Sequence, residues 1–101
     1  MREEAPEPEP GGRRPVFHPR FVEHGKFWMR TAPAVARRLD RLVAEILRSP
    51  FTGIGKPEPL QYQLHGFWAR RLTRADRVIY EVTDETVEFY SARYHYPPGL
   101  L

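Results

Sequence analysis

The apolar positions of this chain follow a helical spacing in its first half and an alternating one in its second. In "TAPAVARRLDRLVAEILRSP", Val35, Leu39, Leu42, Val43, Ile46 and Leu47 recur at i, i+4, i+7, i+8, i+11 and i+12. That spacing draws one stripe along a helix, with Arg37, Arg38, Asp40, Arg41, Glu45 and Arg48 off it. Thr31 is placed to cap its start, and Pro50 enforces a stop. An earlier helix is expected over "RFVEHGKFWMR", because Phe21 and Trp28 lie seven residues apart, as do Val22 and Met29, so each pair shares a helical face. Pro19 suits its first turn, while Gly25 costs it roughly 1 kcal/mol. The preceding "PVFHP" reads as a short strand.

Beyond residue 60 the period drops to two. "LQYQL" alternates apolar and polar. In "GFWARRLT", Phe67, Ala69 and Arg71 take one face, and Trp68, Arg70 and Leu72 the other. "DRVIYEVTDETVEFYSARYHY" gives two strands around a turn at Asp84 and Glu85. The predicted order is an N-terminal strand, two helices and an antiparallel four-strand meander. This is an α+β domain with its helices on one sheet face. "MREEAPEPEPGGRRP" alternates Glu with Pro and has no large apolar residue after Met1, so residues 1–15 are expected to be a disordered tail. The folded domain is expected over 16–96, with a C-terminal extension over 97–101.

Composition narrows the function. A chain of 101 residues that is 41% hydrophobic supports one modest core. It has no cysteine, which excludes a disulfide framework or a thiolate zinc site and fits a reducing compartment. No apolar run approaches the roughly 18 residues of a membrane span, and the N-terminus lacks a secretory h-region, so a cytoplasmic protein with no membrane partner is expected. The net charge is +3, and the tail carries three arginines against four glutamates, so the excess lies in the folded part. A basic small domain suits a polyanion: RNA, DNA or an acidic protein segment.

"GIGKPEPL", residues 53–60, packs two glycines, two prolines, Lys56 and Glu58 into eight residues. Such a stretch is a shaped loop, able to hold one carboxylate in a set place. The other polar residues of interest are Arg70, Arg71, Arg77, His95 and Tyr96. A glutamate, a histidine and arginine form a set that cleaves RNA without a metal. The carboxylate takes a proton from a ribose 2′-hydroxyl, the histidine gives one to the departing 5′-oxygen, and arginine stabilises charge on the phosphate. A tyrosine can stack on a base. The residues alone do not establish this, and each has a plainer reading that is commoner for its type. Glu58 can pair with Lys56, Arg70 and Arg71 can form a solvated rim, and Tyr90, Tyr94 and Tyr96 can pack on the sheet. His18, His24 and His65 have no metal-ligand spacing, so neither a metal nor another cofactor is expected.

Four blocks in order, "SPFTGIGKPEPL", "GFWARRL", "DRVIYEV" and "ARYHY", resemble the Txe/YoeB family of toxins within the RelE-like superfamily. The resemblance runs from about Val16 to Tyr96. It implies a microbial-RNase-like fold and a ribosome-dependent endoribonuclease that cuts mRNA in the A site and inhibits translation. It implies neutralisation by a YefM-type antitoxin, operator DNA binding through the antitoxin complex, and a possible homodimer. By motif, Glu58 matches the general base, Arg77 the phosphate-stabilising arginine, His95 the general acid and Tyr96 the neighbouring aromatic. Arg71 matches a substrate-binding arginine, with Arg70 beside it and Lys56 on the loop also assigned to substrate. Gln61 stands where many relatives have lysine, Ala69 replaces a usual serine, and "PPGLL" extends past the usual end. One geometric condition follows. With a two-residue turn after Val82, Arg77 and His95 fall on opposite sheet faces, and an odd-length loop, a bulge or an early end to the last strand is needed to bring them together.

Overall fold

A computed structural model describes residues 12–61 and 64–95. The elements are β1 (Arg14–Phe17), α1 (Pro19–Thr31), α2 (Pro33–Arg48), β2 (Glu58–Pro59), β3 (Phe67–Arg71), β4 (Arg77–Val82) and β5 (Thr86–Ser91). They form a five-stranded sheet in the order β1-β5-β4-β3-β2. β2 to β5 are the expected antiparallel meander, and β1 adds in parallel beside β5. The fold is α+β, as the spacing predicts. The tail boundary moves: Arg14 and Pro15 belong to β1, and Arg13 donates to the Thr83 carbonyl at 2.6 Å. Residues 1–11 and 96–101, including Tyr96 and the extension, lie outside the described residues.

Both helices begin with proline at the first turn, where a missing N–H is harmless. Thr31 does not cap α2. It ends α1, its hydroxyl bonded back to the Phe27 carbonyl at 2.8 Å, and Ala32 stands at the α2 boundary. The α2 stripe buries Leu39, Leu42 and Ile46 against the sheet. In α1 the buried residues are Phe21, His24 and Trp28, not the Val22 and Met29 face. Val22 and Met29 are exposed and help line an apolar groove of about 350 Å³ between the helices. A face is chosen by what it meets, and Phe21 meets Phe17 and Phe89 at ring centroid distances of 5.7 and 5.3 Å.

The sheet contributes Leu72, Val78, Tyr80, Val87 and Phe89 to the same core. The opposite face carries the buried Ala69 and Ile79 together with Glu58, Arg71 and Arg77. β2 is shorter and earlier than expected. It pairs Glu58 with Ala69 and Pro59 with Trp68, while Gln61 lies outside any strand and Tyr62 and Gln63 lie outside the described residues. A proline is tolerated there because β2 is an edge strand.

Candidate active site

The Gly/Pro loop is anchored from beneath by one buried arginine. Trp68, Arg70 and Leu72 point to the helices, as alternation requires, so Arg70 is fully buried. Its Nη2 donates to the Ser49 and Thr52 carbonyls, and its Nη1 donates to the Ile54 carbonyl at 3.0 Å and to Glu45 Oε1 at 3.3 Å. Nε donates to the Tyr80 hydroxyl at 3.1 Å, and that hydroxyl donates to the Pro50 carbonyl at 2.7 Å. Burial pushes the Tyr80 hydroxyl above its usual range, against the bond and charge of Arg70, which keeps it a neutral donor. Arg70 therefore corrects the expectation of a substrate contact or a solvated rim: it holds residues 49–54 to the sheet.

Two glycines make that anchoring possible. Gly53 has φ 125°, and a Cβ there would sit 2.6 Å from Glu45 Oε1. Gly55 has φ 83°, and its Cβ would meet the Arg71 carbonyl at 3.1 Å and Leu42 Cδ2 at 3.2 Å. The Gly55 carbonyl accepts from the Arg71 N–H at 2.7 Å, which ties the loop to β3 just before β2. Gly55→Ala is expected to cost at least the roughly 1–2 kcal/mol of a left-handed side-chain-bearing residue. Urea unfolding reads this as a lower midpoint at an unchanged slope.

Past the anchor, Lys56, Pro57, Glu58 and Arg71 line a cleft of about 210 Å³. Glu58 is exposed and lies opposite Ala69, so it shares a face with Arg71, and Arg71 lies directly opposite Arg77. Like charges set across a strand pair are unfavourable unless something negative sits between them. The Arg77 Nη1 donates to the carbonyls of Thr73, Arg74 and Asp76 at 3.2–3.4 Å, so its guanidinium rests on the β3–β4 turn.

The C-terminal segment has two of the expected features, a bulge and an early strand end. Register slips by one between Tyr80↔Phe89 and Ile79↔Ser91, making Tyr90 the extra residue of a bulge, and the strand then ends at Ser91. The bulge brings Ser91 onto the face of Ile79 and Arg77. Tyr94 follows with φ 70°; its N–H donates to Asp76 Oδ1 at 2.7 Å and its carbonyl accepts from the Arg77 N–H at 2.9 Å. His95, exposed, is thus joined to a peptide bonded to Arg77 itself. Among the described residues, the non-glycine residues with positive φ are Lys56 and Tyr94. One lies two positions before Glu58 and the other directly before His95, so a sparsely populated backbone conformation precedes each. Among the described residues, no group of three His, Cys, Asp or Glu is arranged to hold a metal. No helix among them is long and apolar enough to cross a membrane.

Two helices on one face of a five-stranded sheet, with a carboxylate–arginine cleft on the other, place this molecule in the RelE-like class of bacterial toxins. The YoeB/ParE toxin from Agrobacterium tumefaciens has this architecture, with a TM-score of 0.78 and 32% identity over 82% of this chain and 99% of that one. So does YoeB from Staphylococcus aureus, solved as a dimer and in complex with YefM, at TM-scores of 0.75 and 0.72 and 30% identity. Those two structures each cover 83% of this chain and 98% of theirs. The chain belongs to the family of YoeB-like toxins of bacterial type II toxin–antitoxin systems, whose family model matches residues 17–96. The toxin RelK from Mycobacterium tuberculosis is 48% identical over 80 residues, 79% of this chain and 94% of that one.

Proposed function

We propose that this toxin is a ribosome-dependent endoribonuclease that cuts mRNA in the A site by metal-free acid–base chemistry. The observation that carries this reading is the Arg71–Arg77 pair, in direct cross-strand register on the face of Glu58. An RNA phosphate is a fitting anion for two arginines set across a strand pair. The Glu58 carboxylate takes the proton of a ribose 2′-hydroxyl, and the freed oxygen attacks the adjacent phosphorus. Arg77 leaves its turn carbonyls to bond the phosphate oxygens as charge develops. His95, protonated, gives its proton to the 5′-oxygen as the P–O bond breaks. The products are a 2′,3′-cyclic phosphate and a 5′-hydroxyl. Arg71 and Lys56 hold flanking phosphate, and Tyr96 is the neighbouring aromatic.

The same basic cleft suits an acidic, YefM-type antitoxin segment that orders on binding. Operator DNA is then bound through the toxin–antitoxin complex, and a homodimer is a further assembly. The setting is the cytoplasm, with ribosomes and mRNA as targets. The test is induced expression with and without the neighbouring antitoxin gene, read by pulse-labelled protein synthesis. Synthesis is expected to stop within minutes of inducing the toxin alone and to continue when both genes are expressed. Unaffected synthesis would overturn the proposal.

A further inference from the structure

α1 holds the chain that leads to His95. His24 and Trp28, one turn apart on its buried face, take both backbone groups of the buried Ala92. The Ala92 N–H donates to His24 Nδ1 at 2.9 Å, and Trp28 Nε1 donates to the Ala92 carbonyl at 2.8 Å. The next residue, Arg93, lies 3.6 Å over the Phe27 ring, and Tyr94 meets the His24 ring edge-on at 6.0 Å. On the far side, Asp76 and Arg77 hold the two backbone groups of Tyr94. Residues 92–94 are thus gripped between α1 and the start of β4, and His95 is the next residue.

The Ala92 bond needs a lone pair on Nδ1, so His24 is neutral with its proton on Nε2. A proton on Nδ1 would set two donors face to face. We propose that neutral His24 is a positioning residue for the site, fixing the segment that carries His95, and that its protonation in mildly acidic solution loosens that segment. This rests on the reading of His95 as the general acid. Burial does most to hold the His24 pKa below its usual 6.5, with Arg93 and Arg20 adding to it and Asp76 and Glu23 opposing. The unfolded chain therefore takes up this proton more readily than the folded one. The contribution is complete above about pH 6.5 and is lost as the pH falls toward the folded value. The clamp needs His24 neutral, so acid closes the activity window from this side.

The experiment compares the wild type with His24→Asn and His24→Leu. Asparagine offers a non-titrating acceptor where Nδ1 stood, and leucine offers none. Amide exchange at Ala92, followed by NMR from pH 5 to 8, needs no RNA. The expected wild-type result is a drop of about tenfold or more in Ala92 protection across the His24 titration. H24N is expected to keep protection throughout, and H24L to lack it at every pH. In ribosome-programmed cleavage, H24N is expected to keep near-normal rates at pH 7.5 with a flattened acid limb, and H24L to be slower at all pH. Ala92 protection with the same pH dependence in H24N and wild type would overturn the proposal, as would wild-type cleavage by H24L. A wild type that cleaves nothing overturns the reading of the site, while the exchange arms still decide the clamp.

Discussion

Glu58→Gln is expected to slow mRNA cleavage on the ribosome by roughly 10²–10⁴-fold, the usual contribution of a general base. Glutamine keeps the size and polarity of the side chain but does not take up the ribose proton at neutral pH. Glu58 is exposed, on a two-residue edge strand whose backbone pairing does not depend on the side chain. The melting temperature should therefore stay where it is, so that a rate loss reports chemistry alone. Arg77 gives a less clean experiment. Its guanidinium also bonds three carbonyls of the β3–β4 turn, so Arg77→Ala removes a turn contact along with a phosphate contact. Wild-type cleavage by Glu58→Gln would remove the acid–base assignment.

The largest expected loss of stability is at Arg70. Replacing it with methionine keeps much of the volume but leaves the carbonyls of Ser49, Thr52 and Ile54 without their donor. Glu45 loses its buried partner at the same time, keeping the Ile54 N–H at 2.8 Å and a 4.0 Å contact with the exposed Arg48. Glu45 is half-buried, so most of the cost comes from the carbonyls left without a donor at about 1–3 kcal/mol each, a total of roughly 3 kcal/mol or more. In a domain of this size that lowers the melting temperature by more than about 10 °C. Because residues 49–54 lead into the loop that presents Glu58, activity should fall as well. Thermal unfolding by circular dichroism reads the first effect. A shift within about 2 °C would mean that Arg70 does not hold the loop.

Arg70 also shows how far the sequence could be read. Alternation alone puts it on the face of Trp68 and Leu72, and an arginine on a buried face must be paired. Its adjacency to Arg71 suggested a shared surface role, and only the carbonyls of residues 49–54, supplied by a distant loop, reveal its partners. The α2 stripe was legible because six apolar residues kept one period. In α1 the stripe was ambiguous. Phe21, His24 and Trp28 follow i, i+3, i+7 as well as any alternative, but a histidine does not announce itself as a core residue. The parallel pairing of β1 with β5 and the bulge at Tyr90 leave no local signal, since both depend on contacts between distant segments. The site was legible chiefly through its four motif blocks. Single residues such as Glu58 or His95 favour a structural role when taken alone; the sheet register adds that Glu58 shares a face with Arg71 and Arg77.

Cleavage by this toxin is expected in the ribosome-bound state alone. Primer extension on one defined mRNA, incubated with purified toxin either naked or on stalled ribosomes, tests it most directly. Strong cuts are expected at the A-site codon of the ribosome-bound mRNA and none above background on the naked mRNA. Equal cutting of both, or of neither, would contradict it.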